Sequence, residues 1–212
     1  VTSGFAVITA QRFGAGSENG VRRSVATSII LGIAVTIVMT AISVLAARPL
    51  LEIMKTPSDI IDDSYNYIIV IFEGIAAAVF FNLFSSILRS LGDSKTPLYF
   101  LVFSSVLNIF LDILFIVPFH MGVAGAAWAT ILSQFLSALF SLLVGLKNFP
   151  VLHLRREDFH DISGTISLHL KTGFPMGFQM SVMCIGQLAM QTVVNSLGTA
   201  AVAGYTAASK AD

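Results

Sequence analysis

Three polar side chains recur at helical spacing within one long apolar stretch: Ser104, Asn108 and Asp112, at i, i+4 and i+8. That spacing lines them along one face of a helix whose other faces are Leu, Ile, Phe and Val. The next stretch carries Thr130, Gln134, Ser137 and Ser141 at mixed spacings of four and three, again on one face. A carboxylate flanked by an amide and a hydroxyl supplies hard oxygen ligands of the kind a small cation takes. Ionisable groups at membrane depth also serve as proton carriers, so Asp112 is a candidate for either role. The structural reading stands beside these: such stripes also hold helices together by hydrogen bonds across their interface.

Two further sets of residues invite a functional reading. Glu73 is a second acid inside an apolar run, with Asn66 on the same face two turns earlier. It is open to substrate or ion contact, or to snorkelling toward the interface. Met176, Met180, Met183, Gln187 and Met190 follow 4-3-4-3 spacing and share one stripe. Methionine is flexible and polarizable and suits surfaces that accept varied apolar ligands, although a stripe at this spacing also serves for packing. Gly173 and Pro175, near the start of the same run, would let the helix bend. The small-residue segment Gly122 to Ala127 permits close helix approach and carries no chemistry of its own.

The elements that position these residues are apolar and long. Of 212 residues, 55% are hydrophobic and only 11% charged, with a mean hydropathy of +0.84. A soluble domain carries about 25% charged residues. Runs at Ser24–Ala47, Ser64–Leu88, Thr96–Phe119, Met121–Leu146 and Thr172–Ser209 hold at most one charge each. A hydrocarbon core about 30 Å thick needs about 20 helical residues. The expected fold is therefore all-α, a polytopic transmembrane helical bundle in a lipid bilayer. The first apolar run, Val1–Gln11, is too short to span, and the pattern after Gly198 is that of a helix interrupted, so the chain is expected to be part of a longer protein.

Charge orders the spans. Loops 12–23, 89–95 and 147–171 hold nine Lys and Arg residues, whereas the alternate loops hold two, Arg48 and Lys55. The positive-inside rule places the three basic loops in the cytoplasm of a multi-pass protein of the cell inner (plasma) membrane. Thr96-Pro97 reads as a helix N-cap followed by proline at the first helical position. The turn at His120–Gly122 is so short that its flanking spans must be antiparallel neighbours. Segment 147–171, with Pro150, Arg155, Arg156 and Gly164, reads as a linker between two bundles.

Several classes fall away. The net charge is zero, so no basic surface points to nucleic acid. Cys184 is the sole cysteine, so it forms no intramolecular disulfide, and it has no thiol partner for a metal site. The four histidines, His120, His153, His160 and His169, fall in loops or at their edges without metal-ligand spacing. A membrane-embedded enzyme would need a nucleophile with its base or a metal cluster, and neither pattern is present.

The segments Ala10 to Gly16, Leu88 to Pro97, Asn108 to Asp112, Met121 to Ala127, Gly173 to Pro175, Leu197-Gly198 and Ala203 to Ala208 together resemble the multidrug and toxic compound extrusion (MATE) family. The match runs the length of the chain and is nearest to bacterial members of the DinF-like type. The resemblance implies a fold of twelve helices in two six-helix lobes and no enzyme activity. On it, residues 1–146 would be helices 2–6 of the amino-terminal lobe, 147–171 the cytoplasmic inter-lobe linker, and 172–212 helix 7 with the beginning of helix 8. It implies export of small organic, often cationic, compounds in exchange for Na⁺ or H⁺, without a cofactor, by a protein that is monomeric when full length. It also implies a cation site at Asp112, Asn108 and Thr130, completed by an Asp on helix 1. Glu73, Gln134, Met176, Met180, Met183 and Gln187 are then candidates to line the substrate cavity. The alternative within transport is a lipid-linked oligosaccharide flippase of the same superfamily. The absence of Lys and Arg between Lys95 and Lys147, and between Lys171 and Lys210, argues against a phosphate-bearing cargo.

Overall fold

A computed structural model describes residues 2–53, 61–160 and 163–196. Every regular element among them is helical: α1 (Thr2–Gly14), α2 (Glu18–Ile53), α3 (Ile61–Glu73), α4 (Ile75–Ser90), α5 (Lys95–Ile116), α6 (Gly122–Asn148) and α7 (Ser163–Ser196). Two short 3₁₀ turns, Pro150–Leu152 and Arg156–Phe159, join α6 to α7. Among the described residues four helical stretches are long and apolar enough to cross a membrane: Glu18–Pro49, Ile68–Ser90, Lys95–Ile116 and Ala124–Asn148. Only 6% of the most apolar window of α5 is buried within the chain, and side chains such as Ile109, Phe110 and Ile113 turn outward. An outward apolar surface of this extent is what a helix presents to lipid.

Two expectations about the elements need correction. The run read as a single span over Ser64–Leu88 is not one of them: it corresponds to the apolar stretch Ile68–Ser90. Within it α3 passes into α4 at Gly74, with the amides of Gly74 and Ala78 still donating to the carbonyls of Val70 and Gly74 at 3.1 and 3.3 Å. Gly74 is buried against α6 so closely that a Cβ there would overlap Ile131. The start of α5 is not capped by Thr96: the helix begins at Lys95, and Asp93 Oδ1 accepts from the Lys95 and Thr96 amides at 3.1 and 2.9 Å. Burial pushes the Asp93 carboxyl up, but the hydrogen bonds from Thr96 and Lys95 outweigh it and hold it below its ordinary range. Segment 147–171 is not linker throughout, because α7 begins at Ser163 and runs 34 residues. α7 is not among the four apolar stretches, since Gln179, Gln187, Pro175 and its glycines dilute it.

The core lies where α1, α2 and α4 meet the first 3₁₀ turn, around Phe5, Val21, Val25, Leu83, Ile87, Leu88 and Leu152. Leu152 is 7% exposed, so this part of the linker is anchored in the bundle. Burying a leucine contributes about 1.5–3 kcal/mol. The α4–α5 corner turns through Gly92 at φ 90°, with the Asp93 amide returning to the Leu88 carbonyl at 3.0 Å. The α5–α6 corner is as tight as its sequence requires: the Met121 amide donates to the Phe115 carbonyl at 3.0 Å, with His120 and Gly122 both at positive φ.

These corners bring the basic loops to one end of the bundle. Phe13, Glu18 and Arg22 share a surface cleft with Phe149, His153 and Arg155. Arg89 shares another with Ala10 of α1. The loops that carry most of the positive charge are thus neighbours in space as well as alike in sign.

Candidate functional site

The two polar stripes meet across the α5–α6 interface. Asn108 Nδ2 donates to Thr130 Oγ1 at 3.3 Å, and Thr130 Oγ1 donates in turn to the Ala126 carbonyl at 3.0 Å. Serine and threonine in helices commonly return a hydroxyl to the carbonyl four residues back. Here that bond aims the Thr130 lone pair at α5. Around this contact Ser104, Ser105, Asn108, Thr130, Ser133 and Gln134 line a cleft of about 180 Å³, with Phe81 and Leu101 at its sides. A glutamine, an amide and four hydroxyls therefore converge on one small volume between otherwise apolar helices.

Asp112 stands one turn along α5 from Asn108. Its Oδ1 is buried and has no hydrogen-bond partner among the described residues. Leaving a buried polar atom unpaired costs about 1–3 kcal/mol, more when it is charged. The Asn108–Thr130 contact joins the two helices, and Asp112 takes no part in it.

Asp112 is not among the residues that line the cleft; its carboxylate, the Asn108 amide oxygen and the Thr130 hydroxyl are nonetheless all oxygen donors of the kind a hard cation takes. Two helices supply three donors, fewer than the six or more that hard divalent cations gather, so further oxygens would have to come from water or from another segment. No group of three or more His, Cys, Asp or Glu occurs among the described residues, which sets this arrangement apart from a transition-metal centre.

The remaining candidates are placed less centrally. Gln134 joins the cleft as its spacing indicated. Glu73 ends α3, but its side chain and that of Asn66 lie outside the described residues, as do Lys55 and residues 197–212. Met176 packs toward α1, where its Sδ would stand 3.2 Å from a Cβ on Gly4. Met180 and Met183 are 61% and 54% exposed, Gln187 is exposed too, and no residue of α7 lines the α5–α6 cleft. Within this chain the methionine stripe faces outward.

Two side chains that sequence reasoning passed over join a polar network that links α1, α2 and α7. His169 does not lie in a loop: it is inside α7 and has no exposed surface. Arg12, counted only as loop charge, reaches both the Gly20 carbonyl and Thr165. The signal available was the four-residue spacing of Thr165, His169 and Gly173, which the charged and polar composition around Lys171 obscured.

Comparison with known proteins gives consistent results. Residues 1–114 match the family model MatE. The probable multidrug resistance protein YpnP of Bacillus subtilis is 37% identical over 97% of this chain and 46% of its own length. The probable multidrug resistance protein NorM of Thermotoga maritima is 30% identical over 95% of this chain and 44% of its own. The chain thus spans about half the length of the curated relatives it matches. Among solved structures, a MATE protein in its bent conformation superposes with a TM-score of 0.86 at 27% identity, covering 99% of this chain and 47% of that one. A transporter of the MOP superfamily from Pyrococcus furiosus gives 0.85 at 27% identity, over 99% and 47% respectively.

Proposed function

Because the chain belongs to the MatE family of multi-pass membrane transporters, and is not an enzyme, we propose that it forms the cation-coupling half of an exporter of small organic compounds. In this reading inward movement of Na⁺ or H⁺ drives outward movement of the compound. The observation that carries it is the buried Oδ1 of half-buried Asp112, without a hydrogen-bond partner among the described residues, one turn from the Asn108–Thr130 bond.

The mechanism follows from what each residue does. With neither ion nor proton bound, Asp112 holds a negative charge against apolar helices, which is unfavourable. Neutralising that charge removes the cost and changes which packing of α5 and α6 is preferred. Asn108 and Thr130 orient oxygen donors across the interface, so that the ion is recognised by both helices together. Coupling requires that ion and substrate favour different packings, since a ligand that binds both equally shifts neither. The cleft beside the site, lined by Gln134 and the serines, is small. An organic substrate would therefore be held where this lobe faces another part of the transporter, the position that the outward methionines of α7 suit. The basic loops lie on the cytoplasmic side, which sets the direction of export.

The test is efflux from cells expressing the transporter that carries this chain. Asp112→Asn is expected to abolish ion-driven efflux while leaving the protein in the membrane at normal abundance. Full efflux by that variant would overturn the assignment.

A further inference from the structure

Thr165, His169 and Gly173 stand four residues apart on α7, and all three are buried along α1. At one end the helices cross glycine to glycine, so close that a Cβ on Gly4 would lie 2.6 Å from Gly173 Cα. One turn away the His169 ring tilts against Phe5 with centroids 5.8 Å apart. At the other end the Arg12 guanidinium donates to Thr165 Oγ1 at 3.3 Å and to the Gly20 carbonyl at 2.9 Å.

Hydrogen bonding selects the protonation state. The Thr165 carbonyl, 2.8 Å from Nδ1, can only accept, so Nδ1 carries the hydrogen. In the neutral ring Nε2 then accepts from Ser24 Oγ at 3.0 Å, and Ser24 Oγ accepts from the Thr9 hydroxyl at 2.8 Å. Thr9, Ser24 and His169 have no exposed surface, so with a neutral ring a satisfied chain joins α1, α2 and α7. A second proton makes Nε2 a donor. Ser24 Oγ then accepts from Nε2 and turns its hydroxyl toward Thr9, so the chain reverses, and what protonation adds is a positive charge enclosed beside Arg12.

The charged groups around the ring do not relieve this. α1 contributes Arg12; α2 contributes Arg23, which acts on Arg12; Arg22 of α2 pairs with Glu18 at 3.8 Å; and α7 itself contributes the exposed Lys171. Burial lowers the affinity of His169 for a proton, the Thr165 bond opposes this, Arg12 lowers it further, Ser24 raises it, and the net direction is down. Burial, and then Arg23, likewise lower that of Arg12.

We propose that this buried row is a proton-operated latch: neutral His169 holds α7 against α1 and α2, and protonation of His169 releases it. The proposal rests on the ion-driven exporter proposed above only in assigning the freed α7 to movement of the second lobe. Since the ring binds a proton less readily when latched than when released, the latch is fully engaged above the ordinary histidine value of about 6.5 and weakens as pH falls below it.

The experiment is spin-label distance measurement on the intact transporter in lipid, with Cys184→Ser removing the native thiol. Labels go on Ala15→Cys and Ser167→Cys, both at exposed positions outside the network. The longer-distance population is expected to rise several-fold between pH 7.5 and pH 5.5, on either side of the ordinary histidine value of about 6.5. His169→Gln should flatten the response. Ser24→Ala, which keeps the histidine but removes the hydroxyl that raises its proton affinity, should move its midpoint to lower pH. An unchanged distance across that range in the wild type, or an intact response in His169→Gln, overturns the latch. Asp112→Asn should keep the response, so the latch and the coupling site fail separately; loss of the response in that variant would assign it to Asp112 and overturn the latch.

Discussion

At the scale of single residues, the candidate site was legible because its members lie close together in sequence and on regular helices. Asn108 and Asp112 declare a common face by a spacing of four, and the tight turn at His120–Gly122 obliges the next helix to pack against theirs. The Asn108–Thr130 bond then follows from short-range geometry. His169 was not legible as Ser24's partner, since Ser24 is 145 residues away and the four-residue spacing of Thr165, His169 and Gly173 marks a shared face without naming what it packs against. A double-mutant cycle of Asn108→Ala and Thr130→Ala, read by thermal unfolding in detergent, should give a coupling energy of about 0.6 kcal/mol, typical of hydrogen bonds between membrane helices. A coupling near zero would mean that the two side chains do not meet. Each single variant should also weaken the coupling ion's apparent affinity several-fold with substrate affinity little altered, checked by ion titration of transport.

Elements were read more reliably in kind than in extent. The apolar runs identified α2, α5 and α6 because a span needs about 20 residues of unbroken hydrophobicity, a signal too long to arise from local noise. Ends and junctions depended on tertiary contacts instead. The residue where α3 passes into α4 is Gly74 because α6 approaches too closely for a side chain. α7 extends back to Ser163 because Thr165 and His169 have partners on α1 and α2. The α1–α7 crossing makes a prediction of its own. Gly4→Ala should destabilise the solubilised protein by about 1–3 kcal/mol, the usual cost of overpacking. Gly164→Ala, at a helical position where a Cβ would meet nothing, should be neutral or slightly stabilising. Equal melting temperatures for the two variants would contradict the close crossing.

At the scale of the whole molecule, the charge asymmetry of the loops and the helical corners agree, since the basic segments gather at one end. With Cys184→Ser as background, a cysteine at His120 should react with a membrane-impermeant maleimide in intact cells. One at Asp93 should react only after permeabilisation, and the reverse pattern would invert the topology. That topology gives ion entry and substrate exit their directions, but the coupling itself rests on Asp112. The most direct measurement is therefore made in sealed proteoliposomes holding the intact transporter. An imposed inward gradient of Na⁺ or of H⁺ should drive substrate out, and an opposing substrate gradient should drive the same ion in the reverse sense. Asp112→Asn should bind substrate yet lose both fluxes. If the variant still exchanges ion for substrate at the wild-type ratio, the coupling site lies elsewhere and the account is wrong.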